Sequence, residues 1–275
     1  SYHGKFGRVT SYTGRDWCRL TMLDMASETE NLKPGDLGDR VASISDLQGL
    51  DYSHIQQLGQ VVNRLTKLDI SKCEFNPFTL AILVESVTWE TAALVSLNFS
   101  GNRITDWDHD LSGLVALGEA IVPSKTLKSI DLSDCSIKVK GVTEVAKFIS
   151  AGAVINQLTC DSTGVPAQYQ YGLLAEGGPR TYTLTVGEAA IDLSQKNFGP
   201  ADLNLLSTWM QRPEVSATVK RIVLSDNFLF GSKKQSQYDS TEVHDTDREQ
   251  SVWTALCDSF KGSPLEEVVL VNIGM

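Results

Sequence analysis

The stretch Leu127-Lys128-Ser129-Ile130-Asp131-Leu132-Ser133-Asp134-Cys135-Ser136-Ile137 decides how this chain is read. Apolar residues stand at its first, fourth, sixth and eleventh positions, and a small side chain that can hydrogen-bond stands at the ninth. The same frame returns as Leu65-Leu68-Ile70-Cys73-Phe75, Leu94-Leu97-Phe99-Asn102-Ile104, Ile155-Leu158-Cys160-Thr163-Val165, Val219-Ile222-Leu224-Asn227-Leu229 and Leu265-Val268-Leu270-Ile273-Met275. A weaker copy, Ile191-Leu193-Lys196-Phe198, has Glu188 in the first apolar position. Frames therefore begin at 65, 94, 127, 155, 188, 219 and 265. A recurring unit of this length sets the architecture before any local reading does, because each unit buries its apolar face only by stacking on its neighbours.

Between frames the apolar period changes from strand-like to helical. Leu80, Leu83, Val84 and Val87 share one helical face, as do Leu114, Leu117, Ala120 and Ile121, and Val142, Val145, Ala146 and Ile149. Leu203, Leu206, Trp209 and Met210 make a fourth face, and Trp253, Leu256, Cys257 and Phe260 a fifth. Ile55, Leu58 and Val62 place another helix over 51–62. Each unit is then a short strand followed by a helix.

Frame and helix together resemble the ribonuclease-inhibitor-like class of leucine-rich repeats, as in NOD-like receptors, Ran GTPase-activating proteins and tropomodulins. The resemblance covers about residues 50 to 275. It implies an α/β leucine-rich repeat solenoid, curved, with parallel strands on the concave face and helices on the convex face. Cys73, Asn102, Cys135 and Asn227 match the class at the ninth position; Lys196 and Ile273 depart from it. Two segments are expected: a cap or docking piece over 1–50, and the solenoid over 51–275 with insertions at 166–187 and 231–250. The first insertion ends in the alternating run Thr181 to Val186, which reads as a strand or hairpin; the second is polar and reads as a loop. In the N-terminal piece, Cys18 to Leu23 has strand character and Ser27 to Arg40 reads as loop.

A net charge of −10 and a pI near 4.9 argue against nucleic acid or an anionic membrane as the main partner. No apolar run approaches the roughly 18–20 residues of a membrane span. Five cysteines, an odd number without metal-ligand spacing, point to an intracellular, reducing compartment, cytoplasmic or organellar. Ser1 in place of Met is expected of a processed chain or a fragment. Met275, in the last frame position, is expected to be followed by more chain or covered by a partner.

No cofactor is implied. The four histidines are scattered, and the sequence holds no phosphate loop, G-x-S-x-G or H-E-x-x-H, so an enzyme is not expected. The run Asp106-Trp107-Asp108-His109-Asp110 has possible cation ligands, but Asp110 precedes a helix and suits capping better, so no metal site is assigned. The expected function is a non-enzymatic protein–protein interaction module, a scaffold, adaptor or subunit of a multi-subunit assembly, with a protein rather than a small molecule as partner. The alternative, implied by the resemblance alone, is a regulator of a small GTPase. Strand side chains alternate, so the concave face carries Asp131, Asp161 and Asp192, followed by Val223, Val269 and Val271 at the C-terminal end. These residues, with Trp107 and the insertion tyrosines Tyr169 and Tyr171, are the candidate partner-binding set.

Overall fold

Each frame puts one short strand into a ladder, and after five of the seven frames a helix carries the chain back among the described residues. A computed structural model describes residues 5–6, 23–24, 41–43, 52–164, 179–227, 229, 233–234, 243–244 and 250–273. In chain order the elements are β1 (Lys5–Phe6), β2 (Leu23–Asp24), β3 (Val41–Ser43), α1 (Tyr52–Val62), β4 (Lys67–Asp69), α2 (Pro77–Ser86), β5 (Ser96–Asn98), α3 (Ser112–Ile121), β6 (Ser129–Asp131), α4 (Val139–Ser150) and β7 (Gln157–Asp161). After them come β8 (Thr181–Thr185), β9 (Ala190–Asp192), α5 (Pro200–Met210), α6 (Pro213–Ser216), β10 (Arg221–Val223), β11 (Lys233–Lys234), β12 (Val243–His244), α7 (Gln250–Ser259) and β13 (Glu267–Val269). Every one of the seven frames holds a strand.

β3 to β7 lie side by side and parallel, and β8 closes that sheet by pairing antiparallel with β7. β9, β10 and β13 form a second parallel sheet. The parallel ladder begins upstream of the expected boundary at residue 50, because β3 pairs with β4 although its segment lacks the apolar frame. In the second insertion, which the sequence reads as loop, β11 and β12 pair antiparallel. The expected loop over 27–40 lies outside the described residues.

The core is built in columns. Leu68, Leu97, Ile130 and Leu158 stack at the fourth frame position, and Ile70, Phe99, Leu132 and Cys160 at the sixth. All are almost fully buried, and the helical faces cover them. Burying a side chain of this size contributes about 1.5–3 kcal/mol, so each repeat adds stability only while its neighbours stay stacked. Cys257 departs from expectation: it is exposed on α7, and Leu256 takes the core position.

Helix starts follow local chemistry. Asn76 caps α2, its Oδ1 accepting the Thr79 N–H at 3.0 Å while the Thr79 hydroxyl accepts the Asn76 N–H at 2.9 Å, with Pro77 at the first helical position. α4 ends at Gly152, whose φ of +101° completes the turn that a side chain would strain.

The turn after each strand has its own signature. The eighth frame residue is left-handed in six repeats: Lys72, Gly101, Asp134, Gln195, Asp226 and Asn272. The exception is the frame at 155. There Ser162 continues the pairing with the β8 side, donating its N–H to the Arg180 carbonyl.

Candidate functional site

The ninth frame residue knits one repeat to the one before it. Asn102 accepts the N–H groups of Cys73 and Phe75, each at 2.9 Å, on Oδ1, and donates through Nδ2 to the carbonyls of Ile70 and Phe99. Asn227 repeats the arrangement in the second sheet, accepting from Phe198 and donating to Leu193 and Leu224. Cys135 reaches the Phe99 carbonyl through Sγ at 3.1 Å. These bonds satisfy buried backbone groups that would each cost about 1–3 kcal/mol if left open. They make the strand face a rigid platform.

On that platform the side chains facing away from the helices line up in register. Asp69, Asn98, Asp131, Thr159 and Thr183 form one row across the first sheet; Asp192, Val223 and Val269 form the matching row of the second. Four of these side chains do the same local job. Asp69, Asn98, Asp131 and Asp192 each use Oδ1 to accept the N–H of the residue two positions on, at 2.9–3.0 Å. At Asp131 and Asp192 that serine's hydroxyl also donates, at 2.7 Å. The carboxylates are thus aimed by their own turns. The Ser194 hydroxyl and N–H hold the Asp192 carboxyl below the usual carboxylate range.

Asp161 has a different task. Its Oδ2 accepts the Asp134 N–H at 2.6 Å, and its Oδ1 accepts the Thr181 hydroxyl at 2.6 Å. Between β4 and β5, and between β5 and β6, that position is bonded main chain to main chain, as in Lys72 N–H to the Ser100 carbonyl and Gly101 N–H to the Ser133 carbonyl. Asp161 supplies the bond from a side chain because its own backbone pairs with β8.

The structure sorts the remaining candidates. Val271 is exposed and Val269 half-buried, whereas Val223 is buried at 8% and offers little surface. Tyr169 and Tyr171 lie outside the described residues. Trp107 is 52% exposed, with the Lys138 ammonium 4.7 Å from its ring centroid. It sits in a run of three left-handed residues, Asp106, Trp107 and Asp108, with φ of 43°, 60° and 67°. Non-glycine residues hold that conformation only when surrounding bonds enforce it. Here Asp108 does so, its carboxylate accepting the N–H groups of Lys138, Lys140 and Gly141 at 3.0, 2.7 and 3.1 Å. A carboxylate from one repeat thereby caps the helix of the next, where the helix dipole favours negative charge. Asp110 accepts the Ser112 N–H at 2.8 Å, but the residue at the N-cap of α3 is Leu111, with no side-chain capping bond, so the expected cap at Asp110 is corrected: its carboxylate stands one residue ahead of the cap.

The residue that sequence reading passed over is Asp202. It is fully buried at the third position of α5 and accepts four bonds: Gly199 N–H at 2.9 Å, Thr163 N–H at 2.8 Å, Thr163 hydroxyl at 2.7 Å and Tyr182 hydroxyl at 3.2 Å. Burial outweighs these donors and pushes its carboxyl up to about 6. Burial also raises the Tyr182 hydroxyl and the Cys160 thiol, and the Asp202 charge adds to both. The signal in the sequence was Lys196, which with Ile273 departs from the small or amide side chain found at the ninth position of the other frames. Asp202 then receives the N–H of the preceding repeat's ninth residue, as Asn102 does for Cys73.

Residues 124–146 match the family model for the leucine-rich repeat. That segment, which holds β6 and the start of α4, is a leucine-rich repeat. No curated protein matches the chain. Among solved structures, the chain is similar to Leiomodin-1 Actin-Binding Site 2, with 14% identity over 43% of this chain and 68% of that one and a TM-score of 0.34.

Proposed function

We propose that this chain is a non-enzymatic protein-interaction module that binds its partner across the strand face. We take that face to be the concave surface of a curved leucine-rich repeat solenoid of the ribonuclease-inhibitor-like class. The observation that carries the reading is the equivalent strand position at which Asp69, Asn98 and Asp131 of the first sheet and Asp192 of the second are each aimed by a bond to their own turn. Side chains already fixed lose little freedom on binding, so a partner gains from every contact it makes. With Asp161 beside them, the carboxylates favour a partner that brings Lys or Arg. Trp107 and the pair Val269 and Val271 supply apolar contact at the edges, and the tyrosines of the first insertion, Tyr169 and Tyr171, belong to the same reading. The three buried thiols Cys73, Cys135 and Cys160 suit a reducing compartment, as a scaffold or complex subunit inside a cell would require.

The test replaces Asp131, Asp161 and Asp192 together by asparagine. Asn98 already makes the turn bond that Asp131 and Asp192 make, so asparagine removes charge while keeping that bond. Partners recovered by affinity purification with the wild-type chain and lost with the triple variant support the reading; equal recovery overturns it.

A further inference from the structure

Neighbouring repeats are tied strand to strand everywhere in the two sheets except at one place. Main-chain bonds such as Phe99 N–H to the Asp131 carbonyl at 2.9 Å, Leu193 to Val223 at 2.9 Å and Leu224 to Val269 at 3.0 Å run along each ladder. Between β8 and β9 the sheet changes, because β8 holds the edge of β7 that the next parallel strand takes in every other repeat. On the helical side nothing changes: α5 packs on α4 as α4 packs on α3.

What spans the break among the described residues is mostly side chain. Lys196 Nζ donates to the Thr181 carbonyl at 3.1 Å, and the Tyr182 and Phe198 rings meet with centroids 4.7 Å apart. Gly164 and Asn197 exchange two bonds, the Gly164 N–H to the Asn197 carbonyl at 2.9 Å and the Asn197 Nδ2 to the Gly164 carbonyl at 3.1 Å. Backbone lies directly on backbone there. A Cβ on Gly164 would fall 2.0 Å from the Asn197 carbonyl oxygen, and one on Gly199 would fall 3.2 Å from Gly164 Cα. On the helical side of the junction the Arg212 guanidinium donates to the Ile155 carbonyl, close to the α4–α5 contact. Asp202 alone gathers donors from three segments, Thr163 after β7, Tyr182 in β8 and Gly199 before α5.

We propose that this junction is a joint, with Asp202 as its latch. The repeats up to β8 form one body and those from β9 onward another; they pivot on the α4–α5 contact and open on the strand face when the Asp202 bonds are released. A strand face divided in this way can change the angle between its two halves on meeting a partner, which a single continuous ladder resists. The inference does not rest on the partner-binding reading, and the two fail separately.

The test is a spin–spin distance distribution across the junction, measured by double electron–electron resonance on the full chain. One label is placed on exposed Cys257 of α7 and one at Lys147→Cys of α4, with Cys18 replaced by serine. A control pair within the first body uses Glu85→Cys of α2 and Lys147→Cys, with Cys257 also replaced by serine. Each pair is compared in the latched background, with Asp202 and Thr163 intact, and in Asp202→Asn and Thr163→Val, the second removing only the hydroxyl bond. We expect the cross-junction distribution to broaden or shift in both variants, further in Asp202→Asn, while the control pair stays unchanged. A cross-junction distribution that does not move in the latch variants, or one that broadens only together with the control, overturns the proposal. If Asp202→Asn does not fold, Thr163→Val alone decides.

Discussion

Thr163 gives both its backbone N–H and its hydroxyl to one oxygen of Asp202, at 2.8 and 2.7 Å, across 39 residues of chain. The bond replaces the asparagine ladder at the one frame where lysine stands in the asparagine position. A buried carboxylate with four donors is costly to remove, since every donor loses its acceptor. Asp202→Ala should destabilise the chain by about 3 kcal/mol or more, and Asp202→Asn by less, because the amide keeps one accepting oxygen. Urea unfolding at neutral pH measures both; a loss below about 1 kcal/mol for the alanine would show that the network is dispensable.

The same residue sets a pH dependence. Its folded value of about 6 lies above the ordinary 3.8, so the folded state holds this proton more tightly than the unfolded chain does. Its contribution is therefore full below about pH 4, falls as pH rises towards 6, and is flat above that. Stability of wild type relative to Asp202→Asn, followed from pH 4 to 7.5, should decline through that window. Asp192 runs the other way: its value is lowered by Ser194, so what it adds is present at neutral pH and lost on acidification below about 4. A wild-type-minus-variant difference that rises with pH between 4 and 6 would reverse the assignment for Asp202.

Asn102 carries the ladder of the first sheet. Replacing it by alanine strands the N–H groups of Cys73 and Phe75, both buried. We expect Asn102→Ala to cost about 2–4 kcal/mol, and Asn227→Ala a similar amount in the second sheet. Chemical unfolding of the two variants checks this; a surface-like change within about 0.5 kcal/mol at either site would contradict it.

Asp108 ties Trp107 to α4. Asp108→Ala removes the acceptor of three amides at that helix start and should cost about 1–2 kcal/mol. Without the tie the left-handed run relaxes, so hydrogen exchange at Lys140 and Gly141 should rise together with a change in tryptophan emission. Unaltered exchange at those two amides would mean that the carboxylate does not hold the loop.

The repeating part of this molecule was legible because identical burial recurs: each frame puts the same positions into the same column, so the pattern survives substitutions such as Cys160 for leucine. The helices were legible for the same reason, down to the faces led by Leu114 and Val142. The strand character of Thr181 to Val186 was visible in its alternation, but its pairing with β7 was not, because an edge is chosen by what else can fit it. β3 was missed because a three-residue strand at the end of a ladder needs no apolar frame. Among the candidate residues, Asp131 and Asp192 lie in strands at the position that alternates with the core, as the spacing implies, yet their bonds to Ser133 and Ser194 depend on turn geometry that spacing alone does not fix. Val223 was read as surface because it alternates with core positions; the structure buries it between β9 and β13. Asp202 was hidden because its partners, Thr163 and Tyr182, are distant in the chain.

The most direct test of the central reading is affinity purification of the intact chain at moderate and at high salt, with wild type beside the Asp131→Asn, Asp161→Asn, Asp192→Asn triple variant. The account expects a stoichiometric protein partner that the wild type retains at moderate salt and that high salt and the triple variant each weaken at least tenfold, with the variant still folded. A partner held equally by both chains at both salt concentrations would contradict it and move the binding surface off the carboxylate row.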